Sequence, residues 1–92
     1  MSQAHVHASH PAIVKRLKRA GGHLASVIAM MEARRSCLDI AQQLAAVESA
    51  VAEAKRALIR DHVDHCLTAA AGPLTAQQQQ SFAELQAITR YL

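Results

Sequence analysis

Cys37, His62 and Cys66 are the side chains of this 92-residue chain best suited to chemistry. An imidazole and a thiol four positions apart share one face of a helix, one turn from each other. Soft nitrogen and sulfur donors at that spacing suit Cu(I), Zn, Ni or Co rather than Mg or Ca. Cys37 is too distant along the chain to be a local ligand, so either folding or a second subunit must bring it in. The residues alone leave a plainer reading open, because free cysteine is also a small apolar filler of helical cores.

Composition narrows the setting. Hydrophobic residues make up 51% of the chain, but alanine supplies much of that share, and Phe82 and Tyr91 are the only aromatics. So short and alanine-rich a chain builds a thin core, which favours self-association to bury more surface. It has no run of 18 apolar residues to span a membrane. The first ten residues are polar and His-rich, with no apolar signal core, and are expected to form a flexible arm ahead of a single domain over residues 11–92. The expected compartment is the cytoplasm, where two thiols serve better as ligands than as a disulfide. No nucleophile–base pair, phosphate-binding glycine loop or paired acids are visible, so the chain is not expected to be an enzyme.

The elements that must position these ligands are all helical. Pro11 suits a first helical turn, and Ile13, Leu17, Leu24, Val27, Ile28 and Met31 then recur at three, four and seven. The Gly21–Gly22 pair inside that pattern suggests a kink or the close approach of another backbone. Ser36 reads as the N-cap of a second, longer helix, from about Cys37 to about Ala69. Two heptad series run along it, Cys37, Leu44, Val51, Leu58 and Ile40, Val47, Ala54, the pattern of helices packed side by side in a bundle. Leu58, His62 and Cys66 then continue at steps of four. Ala71, Gly72 and Pro73 end that helix, and Thr75 with Gln78 matches a capping box opening a third, which runs through Phe82, Leu85, Ile88 and Leu92.

Taken together, these residues resemble the CsoR/RcnR/FrmR family of small helical transcriptional repressors over nearly the whole chain. The resemblance is carried by Arg16, Lys18 and Arg19 followed by Gly22, by Cys37 fifteen residues later, by Gln42, Gln43, Leu44, Ala45, Ala46 and Val47, and by Asp61 and His62 with Cys66. It implies an all-α chain of three helices, an antiparallel helical-bundle dimer and a flat tetramer built as a dimer of dimers. It also implies that Cys37 of one protomer meets His62 and Cys66 of another, and that effector binding releases a double-stranded DNA operator. A fourth position of the family's ligand fingerprint falls on His5. The His-Cys-His-Cys set is similar to the nickel- and cobalt-responsive branch, which makes Ni(II) or Co(II) the expected effector. His7 and His10 enrich the same arm and are possible additional ligands. A Cu(I) sensor using only Cys37, His62 and Cys66 is the first alternative. The formaldehyde-sensing branch fits less well, since removal of Met1 would expose Ser2 where that chemistry uses a proline amine.

Two basic sets accompany the ligands: Lys15, Arg16, Lys18 and Arg19 on the first helix, and Lys55, Arg56 and Arg60 on the second. With no helix-turn-helix spacing, they are expected to read groove shape and phosphates from one face of the assembly. The chain departs from the family in having Glu48–Ser49 where Arg-Gly is common, and Gly22–His23 where Gly-Gln is. A plainer reading makes the basic sets solvated helix faces paired with Glu48, Glu53 and Asp61. A metal-buffering bundle that binds no DNA is the alternative of another class. His23 is expected to pack or face solvent, and His65 to be solvated.

Overall fold

A computed structural model describes residues 10–68 and 75–92. Three helices run in chain order: α1 (His10–Glu32), α2 (Cys37–Thr68) and α3 (Ala76–Ile88), followed by a 3-10 turn over Thr89–Tyr91. The all-α, three-helix expectation is met. α1 begins one residue before the expected boundary, so His10 belongs to the helix and is half-buried there. The expected stop at residues 71–73 lies outside the described residues.

α1 and α2 form an antiparallel hairpin. His23 pairs with Gln43, while Arg16, Arg19 and Ala20 line one cleft with Ala50 and Glu53, so α2 runs back along α1. The turn between them is set by local chemistry at both ends. Arg34 N–H donates to the Met31 carbonyl at 3.1 Å and Arg35 N–H to the Met30 carbonyl at 3.0 Å, the paired bonds of a Schellman C-cap. Arg34 accordingly sits at φ 59°, in the left-handed region that glycine enters without penalty. Ser36 then caps α2, its Oγ accepting from the Asp39 N–H at 3.1 Å, and Arg35 pairs with Asp39 at 3.3 Å. Arg34→Gly should therefore stabilise the chain by about 1 kcal/mol, raising Tm by about 4 °C or more in thermal unfolding. An unchanged or lowered Tm would show that the left-handed backbone carries no strain.

The core is thin and selective. Ile13, Ala20 and Val27 of α1, at heptad spacing, pack with Val47, Ala54 and Ile59 of α2. This is one of the two expected α2 seams. The other, Leu44, Val51 and Leu58, stays 41–46% exposed, as do Leu17 and Leu24 of α1 at 44% and 42%. The apolar pattern of α1 therefore splits into an inward row and an outward one. α1 runs unbroken through Gly21 and Gly22, and a Cβ at either would meet nothing within 4 Å. Among the described residues, no other backbone of the protomer approaches them.

α2, with 32 residues, is nine residues longer than α1. Its C-terminal third passes beyond the start of α1 and is covered by α3. The third helix opens with the expected capping box: Gln78 N–H donates to Thr75 Oγ1 at 3.1 Å, and Thr75 N–H to Gln78 Oε1 at 2.8 Å. It ends earlier than expected, at Ile88 instead of running to Leu92.

Candidate metal centre and basic face

α3 is what buries the candidate ligands His62 and Cys66. His62 is 4% exposed and Cys66 1%, one turn apart on α2 beneath Ser81. His62 Nε2 lies 2.9 Å from the Ser81 carbonyl oxygen, which can only accept, so Nε2 carries the proton and donates. In the neutral ring Nδ1 then holds the lone pair. It lies 3.4 Å from Glu84 Oε1. A lone pair facing a carboxylate is an arrangement that a bound cation beside them would satisfy. Glu84 was missed in the sequence, although it is the only charged residue between the ends of α3. That isolation in a glutamine-rich helix was the available signal.

Burial pushes the Cys66 thiol above its ordinary value, and the Glu84 carboxylate raises it further. Metals bind the thiolate, so binding at Cys66 must release a proton. Metal affinity should thus weaken as pH falls, by about tenfold per pH unit for each thiol that is protonated when free. Because Cys66 is raised, the gain should continue upward past the ordinary thiol range of about 8.5. A competition titration across pH checks this; an affinity that is flat from mildly acidic to mildly alkaline conditions would contradict thiolate ligation.

Cys37 is elsewhere. It is exposed at the first residue of α2, 29 positions before Cys66 on one continuous helix. At 1.5 Å rise per residue the two thiols stand about 43 Å apart. No bending of a packed helix closes that gap. Among the described residues, no three His, Cys, Asp or Glu side chains gather within one protomer to hold a metal. The donors are right in kind for a soft or borderline ion, but among the described residues of one chain only His62 and Cys66 of the expected set stand together, with Glu84 beside His62. His5 and His7 lie outside the described residues. His10 opens α1, at the end of the hairpin where the C-terminal third of α2 emerges. His65, expected to be solvated, is half-buried.

The basic sets are partly united by the hairpin. Arg16 and Arg19 line a cleft of about 510 Å³ with His23 and Glu53. Lys55, Arg56 and Arg60 line a groove of about 320 Å³ with Ile59 and Leu92. Lys15 and Lys18 are exposed on α1 and line neither. His23 is a packing residue, as expected: its Nε2–H donates to Gln43 Oε1 at 2.6 Å, tying α1 to α2 beside the cleft. No described helix is long and apolar enough to cross a membrane.

Comparison with known proteins gives this arrangement a context. The copper-sensing transcriptional repressor CsoR of Mycobacterium ulcerans is 41% identical over 59 residues, covering 64% of this chain and 50% of that protein. Its Bacillus subtilis counterpart is 38% identical over 55 residues, 60% of this chain and 54% of that one. The chain thus spans about half the length of these relatives. The solved structure of the nickel-responsive transcriptional regulator InrS superposes with a TM-score of 0.76 at 34% identity, covering 96% of this chain and 98% of that one. The family model for metal-sensitive transcriptional repressors matches residues 9–91, and the chain belongs to that family, whose members are repressors and not enzymes.

Proposed function

We propose that the protein is a cytoplasmic homotetrameric repressor that binds operator DNA without metal and leaves it when Ni(II) or Co(II) is bound by His5, Cys37, His62 and Cys66. The observation that carries this reading is the separation of about 43 Å between the two thiols of one rigid helix. A ligand set that includes both has to be pooled from two copies, so occupancy and quaternary structure are linked. The outward row Leu44, Val51 and Leu58 supplies a surface on which such copies can pair.

Metal choice follows from the fourth ligand. His10 begins α1, and the five residues back to His5 span at most about 18 Å. A four-donor nitrogen and sulfur set that adds His5 from this arm would suit Ni(II) or Co(II). The likeness to InrS, a nickel-responsive regulator, points the same way. The Cu(I) alternative draws on the copper-sensing relatives and needs only Cys37, His62 and Cys66.

DNA binding would fall to Arg16, Arg19, Lys55, Arg56 and Arg60 along the two clefts, with Lys15 and Lys18 at their margin. The deciding experiment measures binding to a duplex from the protein's own upstream region, with and without each metal, across salt. We expect a log–log salt slope of about −0.9 per phosphate neutralised and a loss of affinity on adding Ni(II) or Co(II). His5→Ala should abolish the nickel and cobalt response. Undiminished nickel response in that variant assigns the site to the three-ligand Cu(I) set, and salt-insensitive or absent DNA binding leaves only a metal-buffering bundle.

A further inference from the structure

Glu53 is an acid in a cationic setting. It lines the larger cleft with Arg16, Arg19 and His23, and its carboxylate accepts a hydrogen bond from the Arg56 guanidinium one turn along α2. Arg56 also lines the neighbouring groove with Lys55 and Arg60, so the Glu53–Arg56 pair stands where the two basic clefts meet. Both partners are more than half exposed. An exposed pair of this kind contributes little to helix stability. Its placement is what calls for a physical reason.

The Arg56 guanidinium, through its hydrogen bond and its charge, holds the Glu53 carboxyl below the usual carboxylate range; desolvation opposes it, and the charges of Arg16 and Arg60 add lesser contributions. Arg16 of α1 shares the cleft with Glu53, but the guanidinium that its carboxylate engages is that of Arg56. A guanidinium donor engaged by one anionic oxygen group is the same donor that a backbone phosphate would use.

We propose that Glu53 is an internal competitor for a DNA phosphate: its carboxylate occupies Arg56 between the two basic clefts and must be displaced before the backbone can engage there. This rests on the DNA-binding reading above. Its consequence is a repressor with affinity held below what its basic face could deliver, and so more readily released by its effector.

The test uses the full chain and a mixed-sequence duplex, because phosphate contact needs no operator. Glu53→Gln should tighten binding by about three- to tenfold at low salt and steepen the log–log salt slope by about 0.9 for each phosphate newly engaged. Glu53→Ala should do the same, which guards against an effect of the glutamine amide. Glu32→Gln removes the same charge from the far end of α1, about 24 Å along the helix from Arg16, and should change affinity and slope much less. Equal effects of Glu53→Gln and Glu32→Gln would overturn the proposal while leaving DNA binding intact. So would a loss of affinity on Glu53→Gln, which would make the acid a support for Arg56 and not a rival. Failure of the unmodified protein and every variant to bind duplex would remove the DNA-binding reading itself.

Discussion

Replacing Cys66 with alanine is expected to weaken metal binding by at least about a hundredfold and to leave repression unresponsive to metal. The size follows from comparison: disturbing only the outer partners of a metal ligand already costs about 10–100-fold in affinity, and this change removes a thiolate outright. The charge-transfer absorption of the Cys66 thiolate–metal bond should be lost with it, leaving at most the contribution of Cys37. Cys66 is 1% exposed, so the substitution also leaves a small void, with a cost of about 1 kcal/mol that helical circular dichroism and thermal unfolding will register. A well-folded Cys66→Ala variant that kept its metal affinity and absorption would remove Cys66 from the ligand set. DNA binding without metal should survive, because the thiol lies among α2 and α3 contacts and not in the basic clefts.

Val51→Asp is expected to dissociate the proposed assembly. Val51 is 46% exposed in one protomer and lies midway along the row Leu44, Val51 and Leu58, which α1 leaves uncovered. A carboxylate buried at a helix–helix seam without a partner costs several kcal/mol. Within the protomer it costs little, since the position already faces outward. The variant should therefore keep its helix content while sedimenting as a monomer, and it should lose tight metal binding although Cys37, His62 and Cys66 are all present. An oligomer of unchanged mass would show that copies pair through another surface.

How much of this was legible in advance differs by residue and by scale. Local chemistry read true. Ser36 and the Thr75–Gln78 pair cap their helices because capping depends only on neighbours within one turn. The heptad row Ile40, Val47 and Ala54 faces the hairpin partner, as its period required. What escaped was tertiary. Periodicity marks an apolar row without saying whether the same chain or another copy covers it, so Leu17 and Leu24 looked like core and are outward. Gly21 and Gly22 raised an expectation of close backbone contact that the protomer does not meet. Glu84 and the Ser81 carbonyl reach His62 only through the packing of α3 across α2, 19 to 22 positions away in sequence, which no helical spacing encodes. That His62 and Cys66 share one helix face was legible because four residues make about one turn. Their buried, hydrogen-bonded setting was not.

A mixed dimer bears most directly on the central claim. Cys37→Ala and Cys66→Ala chains carrying different affinity tags would be co-expressed, the heterodimer isolated, and metal binding followed by thiolate charge-transfer absorption. Neither parent can assemble a complete shared site. In the mixed species, the intact Cys37 of the second chain meets the intact His62 and Cys66 of the first, so one site per heterodimer should return with the affinity and spectrum of the unmodified protein. If no site returns, or if either parent alone binds with full strength, the ligands are not pooled between copies.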